Sequence, residues 1–150
     1  MSILKRTQRQ PTDLMHRRVS LRMSGEFLCH GVAMRIQTNS HAILRAAAAS
    51  ELTPIEGTLA RSCFCWKLTV EDDPDAFGPK NAAQVWCIDR SVFIEIAERQ
   101  WFALDAETGD GVGFLATHAP ELAANEYLET VLKYVLPRLE KRTRPVNCHD

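Results

Sequence analysis

Apolar-rich segments follow one another from Ala82 to Ala116 with very few polar residues between them. The stretches QVWCID, SVFIEI, QWFALD and GVGFLA follow one another closely and predict three or four consecutive β-strands. Val92, Ile94 and Ile96 alternate with Phe93 and Glu95, the period-2 pattern of a strand with two distinct faces. Ala-Glu-Thr-Gly-Asp lies between Asp105 and Gly111, and its Gly109 suits the positive φ of a tight connection. Trp101–Asp105 and Gly111–Ala116 are therefore expected to form a hairpin.

The same period marks two earlier regions. Val19, Leu21 and Met23 alternate, Ser24-Gly25 reads as a turn, and FLCHGVAMRIQT continues with Val32, Met34 and Ile36 on one face and Ala33, Arg35 and Gln37 on the other. Residues 18–37 thus predict a β-hairpin, or a short strand feeding a longer one, with an edge able to pair. SCFCWKLTV is the cleanest amphipathic strand, with Phe64, Trp66, Leu68 and Val70 facing one way and Cys63, Cys65, Lys67 and Thr69 the other.

Helical signals separate these strands. Asn39 and Ser40 are both good N-caps for HAILRAAAAS, whose Ile43, Leu44, Ala47 and Ala48 share a face. Pro54 stops that helix, residues 53–61 read as loop, and EDDPDAFGPKN is a long acidic connection. Pro120 suits the first position of a last helix in which Leu128, Val131, Leu132, Val135, Leu136 and Leu139 recur at helical spacing. Pro137 is expected to kink or tighten it near Lys133. The expected fold is α+β: a single mixed or mostly antiparallel sheet of five to seven strands, with helices Asn39–Ser50 and Pro120–Arg142 packed on one face.

Composition narrows the class. With 150 residues, 45% hydrophobic and 25% charged, the chain matches one ordinary globular domain, assigned to residues 18–150. Residues 1–17 are expected to form a basic, mobile arm, and through residue 24 Lys5, Arg6, Arg9, Arg17, Arg18 and Arg22 face only Asp13. A net charge of −1 and an arm without interleaved aromatics argue against nucleic-acid binding. No apolar run approaches the ~20 residues that span a bilayer. MSILKRTQRQPTD does not read as a secretory signal, and five cysteines without a CxxC suit a reducing compartment, so a cytoplasmic location is expected.

Each piece of candidate chemistry has a simpler structural reading. Cys63 and Cys65 share a strand face, about 6.6–7 Å apart along the backbone. A closed zinc site needs four ligands, with His30 or Cys87 arriving from a neighbouring strand, and buried free thiols are the simpler account. Cys148-His149-Asp150 has the residue types of a nucleophile, base and orienting acid, but three neighbours at a chain end lack the packing that fixes such geometry. GDGVG runs into a strand rather than a helix and no lysine follows, so a hairpin turn replaces the phosphate-loop reading. Asp105, Glu107 and Asp110 lack the ligand spacing of an EF-hand. His16, His41 and His118 fall at segment edges without partners at ligand spacing, and the acids at 71–75 read as solvated surface or a mate for the basic arm.

Segment order suggests a family. RIQTNS leads into an alanine-rich helix, several strands, a D-x-x-x-G turn and a strand, then LETVLKYVLPRLEKR and finally RPVNCHD. This is similar to the region preceding the phosphate-binding loop in HPr kinase-related bacterial proteins, where a strand carrying a histidine, here His149, would follow the helix. No GxxxxGK[ST] occurs in the chain. The resemblance therefore implies an accessory domain, a sensor or docking surface, and not phosphoryl transfer. The expected function is a non-catalytic module that binds a protein partner or a small ligand, with a homodimer open to it and no cofactor or metal. The alternative is a small enzyme using polar groups on the sheet face opposite the helices, Arg35, Lys67, Asp89 and Glu95 being the pocket candidates.

Overall fold

The protein is described as a computed structural model covering residues 20–55, 64–76, 78 and 82–142. The basic arm, Cys63 and the Cys148-His149-Asp150 end lie outside those residues. The order of elements is β1 (Met23–Cys29), β2 (Val32–Thr38), α1 (His41–Ala48), β3 (Thr53–Pro54), β4 (Phe64–Asp72), β5 (Gln84–Ile88), β6 (Ser91–Ala97), β7 (Gln100–Asp105), β8 (Gly111–Thr117) and α2 (Pro120–Arg142).

All eight strands join one mixed sheet in the order β3-β1-β2-β4-β8-β7-β6-β5. The fold is α+β as expected, and the strand number among the described residues is eight rather than five to seven. The additional pairing is β3, two residues set antiparallel to β1 through Phe27↔Pro54 and Leu28↔Thr53. A two-residue strand has no period to read, and its proline suits an edge, where no further amide is needed. β4 sits at the centre, parallel to both β2 and β8, while β5 to β8 form an antiparallel run. The β2-to-β4 connection passes through α1, the crossover that a parallel pair requires.

The first turn falls elsewhere than its glycine suggested. β1 and β2 turn at His30 (φ 52°) and Gly31 (φ 82°), the two-residue loop whose left-handed backbone matches strand twist. Ser24-Gly25 lies inside β1 instead. A Cβ at Gly25 would stand 2.9 Å from the Phe27 ring and 3.2 Å from Leu44, so this glycine lets α1 approach the sheet.

Ser40 caps α1, its hydroxyl accepting from the Ala42 N–H at 3.2 Å. Asn39 does something different. Its Nδ2 donates to the Val70 carbonyl and its Oδ1 accepts from the Val70 N–H, both at 2.8 Å, so one side chain stands in for a strand neighbour at β4. The buried face of α1 is Ala42, Ile43, Ala46 and Ala47, with Ala48 exposed and Leu44 half-buried. On α2, Leu128, Val131, Leu132, Val135, Leu136 and Leu139 are all buried, joined by Ala124 and Tyr127, and the helix runs on through Pro137 to Arg142.

Both helices cover the same sheet face, over Met34, Ile36, Trp66, Leu68, Ile94, Phe102, Leu104 and Leu115. Tyr127 reaches into the sheet itself: its hydroxyl donates to the Trp101 carbonyl at 2.8 Å and accepts from the Phe114 amide. Burial pushes this phenol far above its ordinary range, so it stays neutral. A Cβ on Gly113 would collide with that hydroxyl. The glycine run at 109–113 thus answers to packing, with Gly109 (φ 88°) also presenting its carbonyl to the Trp66 indole N–H at 3.0 Å. No helix among the described residues is long and apolar enough to cross a membrane.

Candidate functional site

Strand parity assigns the remaining side chains to the face that carries no helix among the described residues, called the helix-free face below. On β5 to β8 this parity holds an aromatic at each strand: Trp86, Phe93, Trp101 and Phe114. Their rings form a continuous row, with centroids 5.8 Å apart for Trp86–Phe93, 5.8 Å for Phe93–Trp101 and 6.4 Å for Trp101–Phe114. The last two pairs are close to parallel, each at 21°. One end of the row is closed. Phe114 packs with Ala76 and Ala116 in a small second core, and Arg99 lies 6.0 Å above its ring.

The other end is open to solvent, Trp86 being 44% and Phe93 37% exposed. Side chains of this size usually bury most of their area, so an exposed row of them is the most informative surface on the described chain.

Charged groups on this face are mostly engaged. Arg35 Nε donates to Glu26 Oε2 at 2.5 Å, its partner directly across the β1–β2 ladder. Arg99, at φ 66° in the β6–β7 turn, binds Glu71 at 2.5 Å and also pairs with Asp73, tying the end of β4 to that turn. Of the acids at 71–75, Glu71 and Asp73 therefore meet Arg99, while Asp72 and Asp75 are exposed. Asp105 Oδ1 accepts from the Glu107 and Thr108 amides at 2.8 and 3.2 Å, and Asp110 Oδ1 from the Cys65 amide at 2.9 Å. These carboxylates shape the hairpin loop, and no group of three or more metal-ligating side chains occurs among the described residues. His118 Nδ1 lies 3.1 Å from the Ala76 carbonyl.

The four pocket candidates are not gathered. Arg35 is on β2, Lys67 on β4 and Glu95 on β6, all on the helix-free face, whereas Asp89 (φ 55°) occupies the β5–β6 turn. Strands β8 and β7 separate Lys67 from Glu95, a span of roughly 14 Å at ordinary strand spacing. No hydrogen bond or ion pair joins any two of the four. Lys67 borders a cavity, of about 460 Å³, shared with Cys65, Ser91, Asp105, Asp110 and Val112. Burial pushes the Cys65 thiol up, against the opposing pull of Lys67 and Arg35, so it remains protonated and a poor nucleophile.

The aromatic row escaped the reading of individual strands because each ring looks like one more core residue. Parity is the signal that finds it. Phe93 alternates with the buried Val92 and Ile94, and Trp101 with the buried Phe102, so both rings must point away from the helices. No family model matches this chain, and no curated protein or solved structure matches it either.

Proposed function

We propose that this chain is a non-catalytic, cytoplasmic α+β accessory module that binds a protein partner across the helix-free face of its sheet. The observation that carries the reading is the row Trp86–Phe93–Trp101–Phe114, closed at Phe114 and open at Trp86 and Phe93. Rigid aromatic side chains lose little entropy on docking and commonly anchor interfaces. The order of segments, similar to the region before the kinase domain of HPr kinase-related proteins, supports an accessory role in regulation. The scatter of Arg35, Lys67, Asp89 and Glu95 supports binding over catalysis, because acid–base work needs groups within hydrogen-bond reach of one reacting atom.

A photoreactive residue in place of Phe93, expressed in living cells, tests this. The expected result is a discrete adduct with a different protein that does not form from a photoreactive residue at Glu129 on α2. Identical adducts from both positions, none from either, or an adduct of two copies of this chain with no other protein captured would refute it.

The second reading is a small enzyme on the same face, and the cavity beside Lys67 is the observation that favours it. A small molecule that raises the melting temperature of the native chain but not of Lys67→Ala would decide for it.

A further inference from the structure

We propose that the chain forms a two-fold dimer through the outer edge of β5, pairing Gln84–Ile88 antiparallel with the same strand of a second copy so that the two sheets run on as one. The proposal concerns the sheet edge and does not depend on what binds the helix-free face.

The two edges of the sheet differ. The β1 side is finished by β3 and Pro54, which shortens the edge and removes a donor. At the other end β5 pairs only with β6 among the described residues. Natural edge strands carry charges, prolines or bulges that deter pairing, and Ala82–Ile88 contains none of the first two. Instead Ile88 is 69% exposed beside the open Trp86.

Ladder geometry shows which backbone groups are available. Asp89-Arg90 is a two-residue turn, so Ile88 and Ser91 close the hairpin as a hydrogen-bonded pair. Bonding alternates along an antiparallel ladder, so Trp86 and Gln84 also bond to β6 and the N–H and C=O of Val85 and Cys87 point outward.

A register centred on Trp86 uses all of these groups. Val85 then lies opposite Cys87 of the second copy and Cys87 opposite its Val85, making four main-chain hydrogen bonds. Trp86 meets Trp86 at a non-hydrogen-bonded position, where strands approach most closely and side chains touch. Gln84 lies under Ile88 of the other copy, and Asp89 and Arg90 fall opposite Ala83 and Ala82. No like charges meet along the paired strands, and the aromatic rows become continuous from one Phe114 to the other. The partner that fits a neutral, self-complementary strand is the same strand.

Sedimentation of the full-length chain over increasing concentration, together with oxidative cross-linking, tests the dimer. The native mass should rise from 16.9 kDa towards twice that value. Trp86→Lys sets two like charges on the two-fold axis and should stay at the monomer mass with an unchanged circular dichroism spectrum and the melting temperature that the native chain shows at dilutions where it is a monomer. Trp86→Cys should form an 86–86 disulfide, since its Cα separation falls in the range of about 4.4–6.8 Å that a disulfide spans, whereas Gln84→Cys should not. A monomer at every concentration, a dimer that survives Trp86→Lys, or equal cross-linking from Gln84→Cys and Trp86→Cys would overturn the proposal.

Discussion

Gly113→Ala probes the contact that locks α2 onto the sheet. The added Cβ collides with the Tyr127 hydroxyl and lies 2.8 Å from Leu68 Cδ2 and 3.0 Å from Phe102 Cδ1. All three neighbours are buried to within a few per cent of complete, so none can swing into solvent. Overpacking of this kind costs about 1–3 kcal/mol. Displacing the hydroxyl also strips the Trp101 carbonyl and the Phe114 amide of a partner, worth about 1–3 kcal/mol more. Loss of glycine freedom in the unfolded chain returns only about 0.4–1 kcal/mol. Equilibrium urea unfolding should therefore find Gly113→Ala less stable by about 3 kcal/mol, read from the midpoint at a common slope. Tyr127→Phe alone should cost about 1–3 kcal/mol for the lost hydroxyl. Because it vacates the space that the new methyl enters, the double variant should be little worse than Tyr127→Phe, a favourable coupling of about 2 kcal/mol. Additivity of the two losses to within about 0.5 kcal/mol would refute the account of why this strand carries glycine.

Three other outcomes follow from the packing. Leu132→Ala removes a side chain that is 2% exposed and should cost about 2–5 kcal/mol in the same urea assay, whereas a value within half a kcal/mol of zero would place it on the surface. Asn39→Ala loses both bonds to Val70 and should cost about 1–3 kcal/mol, and hydrogen exchange should show the Val70 amide losing protection more than those of Leu68 or Trp66. The Arg45 guanidinium binds the Glu121 carboxylate, linking α1 to α2, and this hydrogen bond holds the carboxyl below its usual range. A depressed carboxylate pKa adds stability above the unfolded-state value and loses it as pH falls through the folded-state value. Glu121→Gln should thus melt slightly below the native chain at pH 7, and the gap should narrow as pH falls below the unfolded carboxyl value of about 4.3 and shrink in 1 M salt.

The elements that were legible are those whose signal repeats. The period of 2 marks β4, β6 and β7, and the period of 3.6 marks α2 with its six core positions, because burial on one face imposes the same spacing on sequence and structure. Features that were missed depend on what comes to lie nearby. Gly25 has the composition of a turn, but the Phe27 ring and Leu44 make it a strand residue, and the turn passes to His30-Gly31. Leu44 and Ala48 yielded their expected core places on α1 to Ala42 and Ala46, a rotation set by how the short helix rests on the sheet and α2. Cys87 was expected to behave as a buried hydrophobe and is exposed because β5 is an edge.

The candidate site divides in the same way. Arg35, Lys67 and Glu95 could be assigned to the polar parity of their strands, but their distance from one another depends on strand order, which alternation cannot convey. Lys67 and Glu95 are held apart because β8 enters the sheet between β4 and β7. The same order sets the aromatics of β5, β6, β7 and β8 side by side. Local patterning thus settled most of the strand and helix positions and, for β4, β6, β7 and α2, which side faces oil, since those choices involve only neighbours along the chain. Adjacency, edge and contact were left to the folded sheet, because they depend on pairings between segments tens of residues apart, for which a single chain's alternation carries no mark.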